Sequence, residues 1–559
     1  MENRLRYDIA DQRIQYTGLK EDHQFSTDRI IEFNHRHRTV LTNYGISLSK
    51  GQVSVLSNRI NDQSNLGSLR NRQLRESVIL AAALSAVAVG LHGRGELNRY
   101  PEHEVTKSLA NNLKRANDRT AAQIMSEVLQ TTTDVLPPGE EVLIATSITE
   151  GVRAKPGYEA GGNPTIAVGA VFGKEEHRSQ YGLPMHPGVT LLSMGNDVID
   201  GTTKSVKDLH SSFTSLFLTE SNIKRHLPDI YVQRWMSGAF FEEFNPRETN
   251  LLEVAEIIAN SYGSSDVTDI SSFFLDRKRH YPAMDELNRA GITTPFDTDG
   301  DLFPAIILGL DGLRFPEGQR LNSMLGEIGG SAEWAVGVLP LVWRGGQAIG
   351  MLTSQSALTR RELSSERLWS ERFNFTEDEF MMIQDARFEH KPCFSIRDIL
   401  EDPFAGGISA FGAITDNSYL PFMDGVISDP DNDTISVNVL AVNSMGVMEC
   451  WQLVFKCNQG LTRTVELMSS PKDNLVDLEG KKLENAIGDL LDDEKSHRRF
   501  RICFGNEYYS TLIPVRDKVV LLHRALEGMI KRGALDEHDR QIIEITSRLA
   551  NHWFVSHNY

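Results

Sequence analysis

Met194-Gly195-Asn196-Asp197-Val198-Ile199-Asp200-Gly201-Thr202-Thr203 follows the apolar run "GVTLLS" (188–193). Together they read as a buried strand that ends in two carboxylates three residues apart, a glycine and two hydroxyls. Three chemistries fit this pattern. Asp and Gly are common where a strand turns, so the motif can be a turn and nothing more. Calcium is a second reading, but neither this stretch nor "DPDNDTIS" (429–436) has the glycine and distal glutamate of an EF-hand loop. In the third reading Asp197 and Asp200 converge on a magnesium ion. Gly201 then lets a backbone N–H approach a phosphate oxygen, the following helix points its positive end at the same anion, and Thr202 orients a metal-side water.

The company of the motif favours the third reading. Asp299-Gly300-Asp301 again follows an apolar run, and Glu333 stands in "IGGSAEW" (328–334), again after glycines. Hard divalent cations want several oxygen ligands, with substrate phosphate completing the shell. Between these segments lies "DRKRH" (276–280), whose arginines can grip phosphate through their fork geometry. Carboxylates at strand ends beside an arginine cluster suggest metal-assisted phosphoester chemistry.

Bulk properties narrow the class. The 559 residues carry 58 Lys and Arg against 76 Asp and Glu, a formal charge of −18, which argues against a dedicated nucleic-acid binder. The longest apolar run, "VILAAALSAVAVGL" (78–91), falls short of the ~20 residues a bilayer requires and reads as a buried helix. No membrane partner is expected. The opening "MENRLRYDIADQRIQY" has no signal-peptide apolar region, and Cys393, Cys450, Cys457 and Cys503 lack zinc or disulfide-framework spacing. A reduced, cytoplasmic protein is the expectation. His35 and His37 in "NHRHR" have no third ligand nearby and read as a solvated face.

The chain is long enough for two or three cores. Residues 1–74 read as an N-terminal extension of unknown role, 75–264 as an α+β half, 265–457 as an α/β half with parallel strands, and 458–559 as a partly helical extension. In the last of these, "RDKVVLLHRALEGMIKRG" and "LDEHDRQIIEITSRLANHW" read as an amphipathic helical pair, with Gly533 as stop and Asp536 as cap.

The order of the motifs resembles the class II fructose-1,6-bisphosphatase family of the lithium-sensitive phosphatase superfamily, over about residues 75–457. "GNDVIDGTT" is similar to the family's Asp-Pro-Ile/Leu-Asp/Glu-Gly-Thr signature, with Val198 for the proline. "AALSAVAVGLHGRGELN" (82–98) resembles its first helix, and "ANDRTAAQIMSEVL" (116–129) its Thr-Ala-Asp helix, with an insertion of about sixteen residues between them. "LPDIYVQRWMSG" (227–238), "LDRKRH", "DTDGDLFPAII", "IGGSAEW" and "GAITDNSYLPFMDGV" (412–426) resemble the later segments in the same order.

The resemblance implies a fold of mixed α+β and α/β layers, a layered helix/sheet sandwich. It implies a Mg²⁺- or Mn²⁺-dependent phosphatase for a small sugar phosphate, with a homo-oligomer, dimer or tetramer, expected. Asp118, Asp197, Asp200, Glu333 and the Ile199 carbonyl would be metal ligands. Asp118, Asp200 and Thr202 would be catalytic, and Gly201, Thr202, Tyr231, Arg277, Arg279, Asp299 and Asp301 would bind substrate. Two departures stand out. The family's Gly-Glu-Gly-Glu is replaced by Ala145-Thr146-Ser147-Ile148, leaving Glu150 as the nearest carboxylate, and Trp334 replaces a glycine and is expected to crowd the pocket. These changes keep open a substrate such as a modified sugar, inositol or nucleoside phosphate. They also keep open a catalytically impaired descendant that serves as a ligand-binding or assembly module.

Overall fold

The computed structural model describes residues 6–9, 14–18, 20–57, 71–150, 165–166, 170–178, 188–224, 231–246, 248–315, 318–353 and 393–469. Its centre is a ten-stranded sheet. In spatial order the strands are Glu21–Gln24, Ile46–Ser57, Met448–Cys457, Thr434–Asn443, Gly407–Ala413, Phe213–Thr219, Thr190–Asp200, Val142–Thr149 and Val171–Phe172, with Ile427–Asp429 beside Thr434–Asn443. Only Val142–Thr149 and Thr190–Asp200 run parallel within it.

Alternation along these strands assigns the two faces to two cores. Leu216, Leu218, Ile408 and Ala410 join one apolar cluster, while Phe213, Phe217, Phe411 and Ala413 join another. The first face is covered by the helices Arg72–His92 and Lys107–Asp134. The second is covered by Ser331–Trp343 and Leu302–Ile307, which separate the large sheet from a three-stranded one of Ser323–Gly330, Tyr231–Ser237 and Gln347–Thr353. The far face of that smaller sheet supplies Trp235, Leu325, Ile349 and Met351 to a third cluster with the helices Leu251–Ser261 and Tyr281–Arg289. Helices, sheet, helices, sheet, helices: the chain is a layered α/β sandwich.

The helix Arg72–His92 is capped by Asn71, whose side chain accepts the Leu74 N–H at 3.0 Å. Its alanines let it lie close to the sheet. A Cβ at Gly412 would sit 2.3 Å from the Ala82 carbonyl oxygen, so glycine is what the contact tolerates. By length and composition this helix could cross a membrane, yet 83% of its most apolar window is buried inside the fold. It is the core of the first layer.

The N-terminal segment is woven into three sheets. Arg6–Asp8 pairs in parallel with Thr294–Asp297, Gln15–Tyr16 pairs with Leu313–Arg314, and Glu21–Gln24 with Ile46–Ser57 prolongs the large sheet past Met448–Cys457. Among the described residues after 265, the parallel ladder joins Phe274–Leu275 and Thr294–Asp297 to this N-terminal addition, with isolated parallel bridges at Ser271–Thr293 and Ser272–Ser323, and the other ladders there are antiparallel. The boundary expected near 265 falls between two elements that share one apolar cluster.

His35 is exposed as expected, but His37 is not. Its ring is buried against Phe33 and lies 3.4 Å from the Glu76 carboxylate, which also accepts from Arg36 at 2.9 and 3.1 Å and from Arg72 at 3.1 Å. Burial pulls His37 below its usual range, and Glu76 opposes that pull. The thiol of Cys393 lies 3.7 Å from the Phe244 carbonyl, and Cys450 and Cys457 are buried. The helix Leu461–Ser469 packs on Arg72–His92, where the His92 ring meets the Val465 carbonyl at 2.9 Å. The expected helical pair beyond it, with Gly533 and Asp536, and Cys503 lie outside the described residues.

Candidate active site

The strand Val142–Thr149 runs parallel to Thr190–Asp200 and ends partway along it, with Thr149 opposite Asn196. An irregularity between Thr146 and Ile148 shifts the register, and the Glu150 N–H donates to the Asn196 carbonyl at 3.3 Å. Glu150 therefore stands next to Asp197. Glu333 arrives from the first turn of Ser331–Trp343 and bends back to accept the Gly330 N–H. One carboxylate oxygen each from Glu150, Asp197 and Glu333 lies within 4.8 Å of the other two. Three oxygen donors at that spacing fit a hard divalent cation.

The electrostatics point the same way. Asp197 is pushed well above the carboxylate range by burial, then by Glu150, Asp200, Glu333 and Asp118. Burial also raises Asp118 to about 8. One oxygen of Asp118 is 3.2 Å from the Thr202 hydroxyl; the other, Oδ2, is buried without a hydrogen-bond partner. Acidic groups that repel one another in a dry site are stabilised by a cation.

Other expected residues are engaged differently. Asp200 faces the helix Leu302–Ile307, accepting the Asp301 N–H at 3.2 Å and the Phe303 N–H at 3.4 Å, and burial followed by Asp301 raises it to about 8. The Ile199 carbonyl takes the Thr202 hydroxyl at 3.1 Å. That hydroxyl has one proton, so it serves Ile199 or Asp118 at a given moment. Gly201 adopts φ +76°, which turns the chain from the strand into the helix Thr202–Lys207.

At the amide end of that helix, the Thr203 N–H donates to Asp299 at 3.1 Å, and Arg277 reaches the other Asp299 oxygen at 3.3 Å and the Thr298 carbonyl. Arg279 donates to the Ile328 carbonyl at 2.7 Å; its Nε is buried without a partner. Tyr231 opens the strand Tyr231–Ser237, and its phenol contributes to the field at Arg279. Asp301 is paired with Arg234, which also binds Glu327. The indole of Trp334 is wholly buried and packs edge-on to Phe394, with ring centroids 4.8 Å apart.

The sequence reading missed several members. Lys114 lies one turn before Asp118 on Lys107–Asp134, and burial lowers its ammonium against the attraction of Asp299 and Asp118. The i, i+4 spacing to Asp118 was the available signal. Buried Lys204 pairs with Asp297 at 2.6 Å, and the Tyr419 hydroxyl donates to the same carboxylate at 3.0 Å. His280 is buried with Nδ1 on the Leu275 carbonyl at 2.7 Å and Nε2 on the Ile328 N–H at 3.1 Å; burial and then Arg279 push it down to about 4.

The profile of the family described as "Bacterial fructose-1,6-bisphosphatase, glpX-encoded" matches residues 188–413. That span holds Asp197, Asp200, Arg277, Arg279, Asp301 and Glu333, while Lys114, Asp118 and Glu150 lie before it. The D-fructose 1,6-bisphosphatase class 2/sedoheptulose 1,7-bisphosphatase of Synechococcus sp. (strain JA-3-3Ab) is 29% identical over 126 residues, 22% of this chain and 35% of that protein. Its counterpart in Synechococcus sp. (strain JA-2-3B'a(2-13)) is 28% identical over 126 residues, with the same coverage. The chain thus spans about a third of the length of the curated relatives it matches.

Proposed function

We propose that this protein is a metal-dependent phosphatase that hydrolyses a phosphomonoester of a sugar bisphosphate. The convergence of Glu150, Asp197 and Glu333 beside a cationic rim of Lys114, Arg277 and Arg279 carries the reading. The three carboxylates would hold Mg²⁺ or Mn²⁺, which would supply Lewis acidity and neutralise charge on the phosphoryl group.

The chain's own residues do the rest. Arg277, Arg279 and Lys114 bind the anionic oxygens. The Thr202 hydroxyl orients a water, and the unpartnered Oδ2 of Asp118, ionised when the cation offsets the negative field of the neighbouring carboxylates, accepts its proton as the water oxygen bonds to phosphorus. The bond from phosphorus to the sugar oxygen breaks, and that oxygen takes a proton from solvent. The profile match and the two relatives support sugar bisphosphates; nothing in them favours an inositol or nucleoside phosphate. A homo-oligomer in the cytoplasm fits the same reading.

The test is phosphate release from fructose 1,6-bisphosphate, sedoheptulose 1,7-bisphosphate, an inositol monophosphate and a nucleoside monophosphate, with Mg²⁺ or Mn²⁺. Release is expected from the first two, falling about a hundredfold in Asp197→Asn. A second reading, a ligand-binding module, is favoured by the engagement of Asp200 with the Asp301 and Phe303 amides. A wild type that binds fructose 6-phosphate yet releases no phosphate under either metal would establish it in place of the enzyme.

A further inference from the structure

Arg234 sits in the middle of Tyr231–Ser237, the central strand of the smaller sheet, and is wholly buried. Two carboxylates hold it: Nε donates to Glu327, its direct cross-strand neighbour, and Nη2 donates to Asp301. Although burial alone would lower it, Asp301 and Glu327 keep the guanidinium above its usual range. Glu327 is likewise held below the carboxylate range, against burial, by Arg234, His280 and Arg279. The backbone makes room for the group. A Cβ on Gly329 would lie 1.6 Å from Arg234 Nη2 and 2.4 Å from Asp301 Oδ2.

Such a triad is a poor way to stabilise a core. Each buried ion costs several kcal/mol of desolvation, and apolar residues of similar volume would pack as well or better. Its placement suggests another role. Asp301 follows Gly300, which abuts the Asp200 carboxylate, and the Glu333 charge is felt by both Arg234 and Asp301. The Arg234 bond takes up Asp301 Oδ2; Oδ1 accepts no hydrogen bond among the described residues.

We propose that Arg234, anchored by Glu327, is a positioning residue that fixes the Asp301 carboxylate with one oxygen spent and the other held ready for a hydroxyl of the sugar. The Arg234–Glu327 pair thereby sets selectivity for a sugar phosphate over phosphate alone. This rests on the phosphatase reading only in taking a sugar phosphate as the ligand, and binding measurements judge it separately from turnover.

The experiment compares wild type, Glu327→Gln, Arg234→Lys and Arg234→Met by calorimetry, with Mn²⁺ alone, inorganic phosphate and fructose 6-phosphate as probes, and adds KM and kcat for fructose 1,6-bisphosphate. Glu327→Gln and Arg234→Met should weaken fructose 6-phosphate about tenfold while leaving Mn²⁺ and inorganic phosphate unchanged. KM should rise more than kcat falls, and Arg234→Lys should recover part of the loss. If Arg234→Met fails to fold, the other two variants decide. Parallel weakening of both anions, unchanged fructose 6-phosphate affinity, or a wild type that binds fructose 6-phosphate no better than phosphate would each overturn the proposal.

Discussion

The Glu150 and Asp197 carboxylates come within 4.8 Å of each other because Val142–Thr149 runs parallel to Thr190–Asp200 and ends opposite Asn196, so that the next residue of each chain segment faces the other. Glu150 thus joins Asp197 and Glu333 in one carboxylate cluster, although Ala145, Thr146, Ser147 and Ile148 provide no carboxylate. Replacing Glu150 by Gln should weaken Mn²⁺ binding at least about tenfold and reduce phosphate release in proportion. Calorimetric titration of Mn²⁺ into both proteins checks the first, and an activity assay at a fixed Mn²⁺ concentration below the variant's Kd checks the second. Equal Mn²⁺ affinity would remove Glu150 from the site.

Stability without metal should fall as pH rises. Asp118 and Asp200 are raised from 3.8 to about 8, and Asp197 is raised as well. Between those pH values the folded state binds more protons than the unfolded state, so stability declines through the window. The buried carboxylates interact, so they lose their protons as a group and the decline belongs to the cluster as a whole. Urea unfolding in EDTA at pH 5, 6.5 and 8 should show this. Mn²⁺ should restore most stability at pH 8 and least at pH 5, with proton release on binding.

The contact between helix Arg72–His92 and the large sheet gives a test of the fold itself. Gly412→Ala places a methyl 2.3 Å from a backbone oxygen of Ala82, and neither backbone can yield without moving the layer. A loss of about 1–3 kcal/mol is expected. The midpoint of urea unfolding should drop, with Mn²⁺ affinity reduced only as far as the folded fraction is.

Residues whose spacing lies within one element were legible in the sequence. Asp197, Asp200, Gly201 and Thr202 could be read together because a strand end, a left-handed glycine and a helix start leave a local pattern. Glu150 was harder to read. The shift between Thr146 and Ile148 alters which strand residue reaches the site, and a bulge of that kind depends on pairing with Thr190–Asp200. Arg234 and Glu327 looked like ordinary strand charges until Tyr231–Ser237 and Ser323–Gly330 were paired. His37 was misread because its partner, Glu76, lies on a distant helix. The layered fold was readable from alternation, whereas the weaving of residues 6–57 into three sheets rests on long-range pairing that no local pattern encodes.

Asp299 offers the sharpest test of how the anion enters. Its carboxylate occupies the amide end of Thr202–Lys207 through Thr203 and holds Arg277. These are two groups that would otherwise attract phosphate. A carboxylate there competes with an inorganic anion, and it can be useful only if it also binds another part of the ligand. Asp299→Ala should therefore bind inorganic phosphate several-fold more tightly, since removing one nearby negative charge and freeing one guanidinium both favour the anion. The same change should lower kcat/KM for fructose 1,6-bisphosphate, because the sugar loses an acceptor. Calorimetry with phosphate and steady-state kinetics separate the two effects. Weaker phosphate binding in Asp299→Ala would show that the carboxylate holds Arg277 in place for the anion and does not compete with it.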